Sequence, residues 1–441
     1  MSNENTLLIS YLFPPAGGVG VQRAISYAKY LGQAGCPVTV LTTRNPVTAW
    51  QDPSLLGNLP NDLVIERAVT LEPPFRVREW LRRFVPQAQK EANESVEVSP
   101  SPIKQWLRDT VHRALSPDPQ KFWVPLAYRK AVRIVQERNI RNVLVTSPPF
   151  SSLEIGIRLK ARFPHITLIS EFRDEWLNYY LASDPNSSVI RRRRAERLET
   201  RAVEASDYIV TVTESWRTQI RGRSMNQPNA KFVCIPNGFD PQVFEGFHSR
   251  NAVTGKLIIA YSGTVYWNSV YSPEPLLDAL SALPDSDRGL IELRFVGRVA
   301  DQAAWRLRSG PVKTLLTGFL PQREALGHLE DSDCLLVIVN NANAQAAKLF
   351  EYLPTGKPIL AISPSGGEID QLIRASQTGW CVDPTDQRRL KEVLQIMIEI
   401  FVHGNRSLLP ERRSDVIELY SRTRLIEELT RLTAIGAYRC R

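Results

Sequence analysis

Short apolar segments alternate with amphipathic helical segments along almost the whole chain, and this alternation restricts the possible fold strongly. At the start, residues 6–12 predict a buried strand, residues 21–32 a helix, and residues 38–42 a second strand. Strand, helix and strand in this order form a βαβ unit, whose two strands are parallel. The same alternation begins again near residue 257. We therefore predict an α/β protein built from two Rossmann-like βα domains.

The length of 441 residues is too great for a single hydrophobic core and suits two domains. We predict a first domain over residues 1–247 and a second over residues 248–413, facing each other across a cleft. Residues 414–441 contain a helix that we expect to cross back onto the first domain. Between about residues 70 and 120 the alternation is interrupted by an insertion with two basic, aromatic helices within residues 74–115.

The cysteines and the apolar segments indicate the cellular compartment of the protein. The five cysteines are scattered and form no Cys-x-x-Cys pair, which argues against a disulfide framework or a zinc cluster and favours a reducing cytoplasm. Residues 1–13 have no basic start and reach two prolines early, so we interpret them as a first strand rather than a signal peptide. No uncharged apolar segment is long enough to cross a membrane.

The chain is basic, with 55 Lys and Arg against 46 Asp and Glu and a net charge of +9. This charge implies an anionic partner, either phosphate groups, acidic lipid or nucleic acid. No nucleic-acid-binding motif is present, so we expect no nucleic acid partner. The basic aromatic helices of residues 74–115 and the arginine-rich segment 190–201 would suit an anionic membrane surface. The alternatives are helices packed on their own domain and an ordinary solvated face.

A glycine-rich turn follows the first predicted strand, over residues 14–20. Such a turn directs backbone N–H groups and a helix N-terminus at a ligand, and phosphate is the usual ligand. Gly17 and Gly18 would allow that ligand to approach the backbone closely. A purely structural turn remains the alternative. The turn lacks the Gly-x-Gly-x-x-Gly pattern, which argues against a dinucleotide cofactor.

Polar residues also follow the predicted strand at residues 167–170, and they include Arg173 and Asp174. Open parallel sheets bind ligands at the carboxyl ends of their strands, so we predict that both residues are catalytic. The alternative is a surface salt bridge between the two.

The segment 348–358 predicts a short helix that ends near Gly356 and leads into a buried strand. Lys348 and Glu351 are three residues apart and therefore share one face of this helix. A cation and a carboxylate held together suit an anionic ligand that bears hydroxyl groups, such as a nucleotide sugar. The alternative is an ordinary surface pair, which contributes a few tenths of a kcal/mol.

Five short motifs occur in order along the chain. They are Phe13-Pro-Pro-Ala-Gly-Gly, Ile235-Pro-Asn-Gly-Phe-Asp, Tyr261-Ser-Gly-Thr, Gly318-Phe-Leu-Pro and Lys348-Leu-Phe-Glu-Tyr-Leu-Pro-Thr-Gly-Lys-Pro. In this order and at these distances they resemble the GT-B glycosyltransferases of family 4, especially the bacterial branch that builds surface polysaccharides. The resemblance covers almost the whole chain except about residues 70–120.

The resemblance implies a fold, an activity and partners. It implies a GT-B fold and a retaining glycosyltransferase that needs neither a metal ion nor a cofactor. The donor would be a nucleotide-diphosphate sugar, and the acceptor a glycan or a lipid-linked molecule. Such an enzyme of polysaccharide biosynthesis would lie in the cytoplasm or peripherally on the inner membrane face.

The resemblance also implies which residues bind the donor. Glu351 matches the glutamate that accepts hydrogen bonds from the ribose, and Lys348 matches a basic position near the diphosphate. The full donor-binding set comprises Gly17, Gly18, Ser262, Gly263, Gly318, Phe319, Leu320, Asn343, Lys348, Leu349 and Glu351. The segment Asp331-Ser-Asp333 imitates a metal-binding motif but lies between a helix and a buried strand, so we interpret it as structural.

The sequence departs from the family pattern in three places. Asn343 stands where many members have a first glutamate, residues 261–270 lack the usual Arg and Lys, and Ser147-Pro-Pro-Phe replaces a histidine segment. We therefore consider Arg173 as a replacement for the lost positive charge. Two further functions remain open: a nucleotide-sugar epimerase of the same fold, and a catalytically degenerate transferase that acts as a scaffold.

Overall fold

The computed structural model describes residues 4–48, 51–72, 116–180, 189–249, 255–267 and 269–439. The chain divides into two compact units. One is formed by Met1–Ile235 with Ile426–Arg441, and the other by Pro236–Leu425. Each unit is built on one parallel β-sheet whose strands are connected by helices.

The first unit contains a seven-stranded sheet within its described residues. Its strands are β1 Thr6–Ile9, β2 Val38–Thr43, β3 Val64–Ala68, β4 Asn142–Ser147, β5 Thr167–Phe172, β6 Tyr208–Thr211 and β7 Phe232–Cys234, in the spatial order β3-β2-β1-β4-β5-β6-β7. Its helices are α1 Val19–Gln33, α2 Val124–Glu137, α3 Leu153–Arg162, α4 Val189–Ala205 and α5 Glu214–Arg223. All neighbouring strands are parallel.

The second unit contains a six-stranded parallel sheet within its described residues. Its strands are β8 Leu257–Ser262, β9 Ile291–Val296, β10 Lys313–Gly318, β11 Cys334–Ile338, β12 Ile359–Ile362 and β13 Gly379–Val382, in the spatial order β10-β9-β8-β11-β12-β13. Its helices are α6 Glu274–Ser281, α7 Asp285–Arg288, α8 Asp301–Arg308, α9 Gln322–Glu330, α10 Ala347–Tyr352, α11 Glu368–Ser376, α12 Gln387–Phe401 and α13 Ser414–Glu418. The last helix, α14 Arg422–Arg439, begins in this unit and continues into the first.

Both sheets reverse their strand order at one point, and this point matters for ligand binding. In the first unit the reversal lies between β1 and β4, and in the second between β8 and β11. The loops that follow two such strands run in opposite directions and leave a crevice, where open parallel sheets bind their ligands.

Burial of the central strands follows from their composition. Every residue of β1, β4, β5 and β11 is buried, as expected for strands covered on both faces. The first core includes Leu7 and Trp123, and the second includes Leu336. The continuous apolar segments of the sequence therefore form the centres of two separate cores.

A contact within the second unit joins two distant chain segments, residues 236–240 and 420–422. The Phe239 N–H donates to the Tyr420 carbonyl at 3.1 Å, and the Arg422 N–H donates to the Phe239 carbonyl at 2.8 Å. A Cβ atom at Gly238 would lie 2.4 Å from the Tyr420 carbonyl oxygen, so only glycine fits there.

The predicted fold class, two Rossmann-like βα domains of an α/β protein, is confirmed. Strand β3 was not predicted, because Glu66 and Arg67 interrupt its apolar pattern at the edge of the sheet, where residues are only partly buried. The C-terminal segment was predicted as one helix from residue 414. It forms two, α13 and α14, with a break where Ser421 pairs with Phe239.

Two further expectations concern membranes. No helix in the described parts of the chain is both long enough and apolar enough to span a bilayer. The predicted basic aromatic helices of residues 74–115 lie outside the described residues, which include only the two ends of the insertion.

Gly156 of α3 provides a test of how closely this helix packs on the first sheet. A Cβ atom there would lie 2.9 Å from both Leu168 Cδ1 and Val145 Cγ2. We expect Gly156→Ala to overpack the core and reduce the free energy of unfolding by about 1–3 kcal/mol, measured by urea denaturation. Gly32→Ala in α1 is the control, since no atom lies within 4 Å of its added methyl group. Equal stability of both variants would contradict the close packing.

Candidate functional site

Three glycines lie at the carboxyl ends of neighbouring strands in the second unit. Gly263 follows β8, Gly297 follows β9 and Gly318 ends β10, with φ angles of 132°, 132° and 75°. A Cβ atom at Gly297 would lie 2.3 Å from the Gly263 carbonyl oxygen, and Gly297 also pairs with Gly318. The three strand ends therefore form a surface of backbone atoms that side chains would obstruct.

The segment after β8 is fixed by hydrogen bonds. The Ser262 N–H donates to the Tyr352 hydroxyl at 2.8 Å, and the Gly263 N–H donates to the Val296 carbonyl at 2.8 Å. The Tyr261 hydroxyl donates to the Thr264 carbonyl at 3.1 Å. The backbone amides of Ser262 and Gly263 thus already have acceptors within the protein, and these hydrogen bonds hold the segment in place.

Lys348 lies in the first turn of α10, directly against this segment. Its ammonium group is 3.5 Å from the centre of the Tyr261 ring, and a Cβ atom at Gly263 would lie 2.9 Å from Nζ. Within the described part of the chain, Nζ has no hydrogen-bond or ion-pair partner. Burial lowers the pKa of Lys348 to about 7, and the nearby charge of Glu351 opposes this shift. A desolvated cation without a counter-ion is unfavourable and suits an anionic ligand.

Glu351 lies one turn further along the same helix and is partly buried. Burial raises the pKa of its carboxyl group, whereas the positive charges of Arg422 and Lys348 lower it. Among the described residues, no group donates a hydrogen bond to its carboxylate. Both oxygens are therefore available to accept hydrogen bonds from a ligand.

The remaining predicted donor residues differ in exposure. Leu349 is fully buried in the packing of α10, and its role in donor binding stays a prediction. Phe319 is 69% exposed, Leu320 is partly buried, and Asn343 lies on an exposed loop after β11. Contacts bring Ser262, Gly263 and Lys348 together with the glycines of β9 and β10, and Glu351 lies on the same helix as Lys348. A role in donor binding stays a prediction for these residues and for Phe319, Leu320 and Asn343.

Sequence reasoning missed Tyr261, Tyr352 and Arg422. The two tyrosines lie within quoted motifs, and their position beside Ser262 and Lys348 could have singled them out. Arg422 is distant from Glu351 in sequence, and only the fold brings its positive charge near that carboxylate. Its Nε donates to the Gly238 carbonyl at 3.1 Å. No sequence pattern indicates that contact.

In the first unit, the predicted glycine turn caps α1. Gly18 is the N-cap residue, with a φ angle of 94°, and open space lies beside it, since a Cβ atom there would have no other atom within 4 Å. Gly17 is buried, and a Cβ atom there would lie 3.2 Å from Asp52 Cβ. The Asp52 N–H donates to the Pro15 carbonyl at 2.7 Å and holds the turn.

Arg173 and Asp174 follow β5 in the same unit. The Arg173 guanidinium donates to three backbone carbonyls: Gly20 at 2.6 Å, Pro148 at 2.8 Å and Ser147 at 3.3 Å. It therefore ties the start of α1 to the loop after β4. Asp174 is partly buried, and burial raises the pKa of its carboxyl group while the charge of Arg173 opposes this. Catalytic roles for both residues stay predictions.

The metal-like motif has a structural position. Asp333 is buried, its Oδ2 accepts the Ile258 N–H at 2.9 Å, and its own N–H donates to the Ile258 carbonyl at 2.9 Å. These bonds join the starts of β8 and β11 at the amino ends of the strands, whereas Lys348 lies at their carboxyl ends. Across the described ranges, no group of three or more His, Cys, Asp or Glu side chains could hold a metal ion.

Comparison with known proteins shows the fold. No protein-family model matches the sequence, and no curated protein matches it either. Solved structures do match over nearly the full length, and they include glycosyltransferases of the GT-B fold. The chain therefore has the GT-B glycosyltransferase fold, as the resemblance implied.

Three solved structures illustrate this similarity. The apo form of WaaB, a lipopolysaccharide outer core galactosyltransferase, is 11% identical, with a TM-score of 0.59 over 97% of this chain and 98% of that one. HepE from Anabaena, in complex with UDP-glucose, is 12% identical, with a TM-score of 0.56 over 99% of each chain. The N-terminal domain of trehalose-6-phosphate phosphatase from Candida albicans is 11% identical, with a TM-score of 0.61 over 99% of this chain and 97% of that one.

The buried charge of Lys348 can be tested without a ligand. In the free protein its pKa of about 7 lies below that of the unfolded chain, so folding must release a proton between about pH 7 and 10.5. We expect Lys348→Met to raise the melting temperature by about 3–8 °C at pH 6, measured by calorimetry. The advantage over the unsubstituted protein should shrink as the pH rises from 7 to 10, since the lysine then folds in its neutral form. A lower melting temperature at pH 6 would show instead that Lys348 stabilises the fold.

Proposed function

We propose that this chain is a glycosyltransferase that transfers a sugar from a nucleoside-diphosphate sugar to a glycan or lipid-linked acceptor. The observation that carries the proposal is the Lys348 ammonium group, which is desolvated at the switch point of the second sheet and has no ion-pair partner among the described residues. The GT-B fold supports the same conclusion, since HepE, which has this fold, forms a complex with UDP-glucose.

Lys348 is assigned to the donor diphosphate. Bond cleavage at the sugar carbon leaves negative charge on the departing diphosphate, and a fixed cation stabilises that charge without reorganisation. The partly buried position of Lys348 strengthens this effect, because the surrounding dielectric constant is lower than that of water. The glycines at the ends of β8, β9 and β10 allow the diphosphate to approach the backbone closely.

Glu351 is assigned to the ribose. An ionised carboxylate can accept hydrogen bonds from two neighbouring hydroxyl groups, and such charge-assisted bonds are about twice as strong as neutral ones. The absence of an internal donor to its carboxylate, among the described residues, leaves both oxygens for this purpose. Phe319 and Leu320 are assigned to the base, and the turn with Gly17 and Gly18 to the donor phosphates.

The finer features also belong to the proposal. We propose membership of family 4, retention of configuration, and catalysis without a metal ion or cofactor, with Arg173 keeping the Gly17–Gly20 segment in place. The order of the five motifs supports these assignments. A location in the cytoplasm, peripheral to the inner membrane face, is supported by exposed arginines of α4, namely Arg192, Arg193, Arg194 and Arg197.

Binding of nucleoside diphosphates tests the donor site. At least one of UDP, GDP, ADP or CDP should raise the melting temperature in metal-free buffer containing EDTA. We expect Lys348→Met to weaken its binding by about 10- to 100-fold, since a hydrogen bond to a charged group contributes about 1.5–3 kcal/mol. Lys313→Met is the matched control: this lysine lies on β10, is 71% exposed and pairs with Glu292. No response to any of the nucleotides would contradict the proposal.

A second comparison separates the two assigned roles. Pyrophosphate has no ribose, so Glu351→Ala should leave pyrophosphate binding unchanged and weaken nucleoside diphosphate binding by about tenfold, whereas Lys348→Met should weaken both. Isothermal calorimetry measures all six affinities, those of the unsubstituted protein and of the two variants for both ligands. Product analysis then separates the enzyme classes: a transferase glycosylates an added acceptor, an epimerase changes the sugar without one, and a scaffold does neither.

Proton uptake provides an independent test of Lys348. At pH 8 the lysine is mostly neutral in the free protein, because its pKa is about 7. A bound diphosphate favours the charged form, so binding at pH 8 should take up close to one proton. Calorimetry in two buffers of different ionisation enthalpy measures this uptake. Lys348→Arg should bind without it, since arginine remains charged. Identical uptake in both proteins would contradict the assignment.

A further inference from the structure

Asp174 lies in a turn whose other residues are firmly anchored. On one side, Arg173 donates to the carbonyls of Gly20, Ser147 and Pro148. On the other side, Glu175 is buried and pairs with Arg223 at 3.1 Å, and its carboxylate also accepts the Asn178 N–H. The backbone on either side of Asp174 is therefore fixed by interactions that do not involve Asp174 itself.

The next residue adds a packing restraint. The Trp176 ring stacks on Phe150, with the ring centres 4.3 Å apart and the planes at 3°. Both rings are buried in the core of the first unit. The turn after β5 thus has a fixed position relative to the loop after β4, at the carboxyl end of the sheet.

The carboxylates near this turn differ in whether they have an ion-pair partner. Glu171 is fully buried and is bound by Arg23 at 2.6 Å and by the Tyr27 hydroxyl. Glu175 is bound by Arg223. Asp174 is partly buried, yet among the described residues its carboxylate has neither a hydrogen-bond donor nor an ion-pair partner. An unpaired carboxylate in a partly desolvated, rigid turn is unfavourable for the free protein, which is typical of a residue kept for ligand binding.

The surroundings restrict what Asp174 can bind. The adjacent Arg173 places a positive charge beside it, which disfavours a cation. The carboxylate itself repels an anion. A neutral molecule with hydroxyl groups fits, because a hydroxyl donates one hydrogen bond to a carboxylate without adding charge.

We propose that Asp174 binds a hydroxyl group of the acceptor sugar, and so orients the acceptor on the first unit. This inference rests on the proposed transferase function and names the chemical group that the acceptor must present. Arg173 is then a positioning residue, which holds the turn through backbone carbonyls.

The test separates acceptor binding from donor binding. The donor is the nucleotide sugar whose nucleoside diphosphate raises the melting temperature, and the acceptor probes are p-nitrophenyl glycosides of glucose, galactose, mannose and N-acetylglucosamine. We expect Asp174→Ala to lower kcat/KM for the best glycoside by about 100-fold and Asp174→Asn by about tenfold, with the KM of the donor unchanged. The melting temperature of both variants should equal or exceed that of the unsubstituted protein. Glu175→Gln is the structural control and should lower it, because Arg223 loses a buried partner.

Acceptor analogues sharpen the result. In the unsubstituted protein, an acceptor that lacks the hydroxyl group bound by Asp174 should lower kcat/KM as much as Asp174→Ala does. In the Ala variant, the same analogue should lower kcat/KM no further. Unchanged acceptor kinetics in Asp174→Ala, additive losses with every deoxy analogue, or failure to glycosylate any of the four glycosides while the donor binds would overturn the inference. An absence of nucleoside diphosphate binding would overturn the proposed function itself, and the two failures are therefore distinguishable.

Discussion

The candidate site of the second unit depends on one unfavourable arrangement, a desolvated lysine ammonium group that has no ion-pair partner among the described residues. The Tyr261 ring under Lys348 offsets part of the cost through a cation–π interaction. Gly263 has a φ angle of 132°, which favours glycine, and a Cβ atom there would lie 2.9 Å from Nζ. Tyr352 fixes the same segment from the helix that carries Lys348. The strand end and the helix are thus arranged around a cation that a bound anion would stabilise.

In the first unit, the charged groups discussed above mostly have partners within the protein. Arg23 and Glu171 compensate each other, Arg223 lies between two carboxylates, and Arg173 satisfies three carbonyls. These contacts make the loops after β4 and β5 rigid. Asp174 stands out against this background, since its carboxylate has no such partner in the described part of the chain. Two groups lack an ion-pair partner among the described residues, a cation in one unit and a carboxylate in the other, and they match the two kinds of substrate that the proposed transferase would bind.

Much of this architecture could be predicted from the sequence, because apolar segments of strand length alternating with helices permit few folds other than parallel sheets. The position of Lys348 and Glu351 on one helix followed from their spacing. Strand β3 could not be predicted, since Glu66 and Arg67 are tolerated only because that strand lies at an edge. The low pKa of Lys348 and the influence of Arg422 on Glu351 arise from residues distant in sequence, and only the fold brings these together.

The pairing of Phe239 with Tyr420 and Arg422 has a consequence for chain connectivity. The polypeptide passes between the two units twice, at Ile235–Pro236 and at Leu425–Ile426. Close to these two passages, hydrogen bonds join residues 236–240 to residues 420–422. Both segments of this contact belong to the second unit, so a protease that cut either passage would leave the contact intact within one fragment.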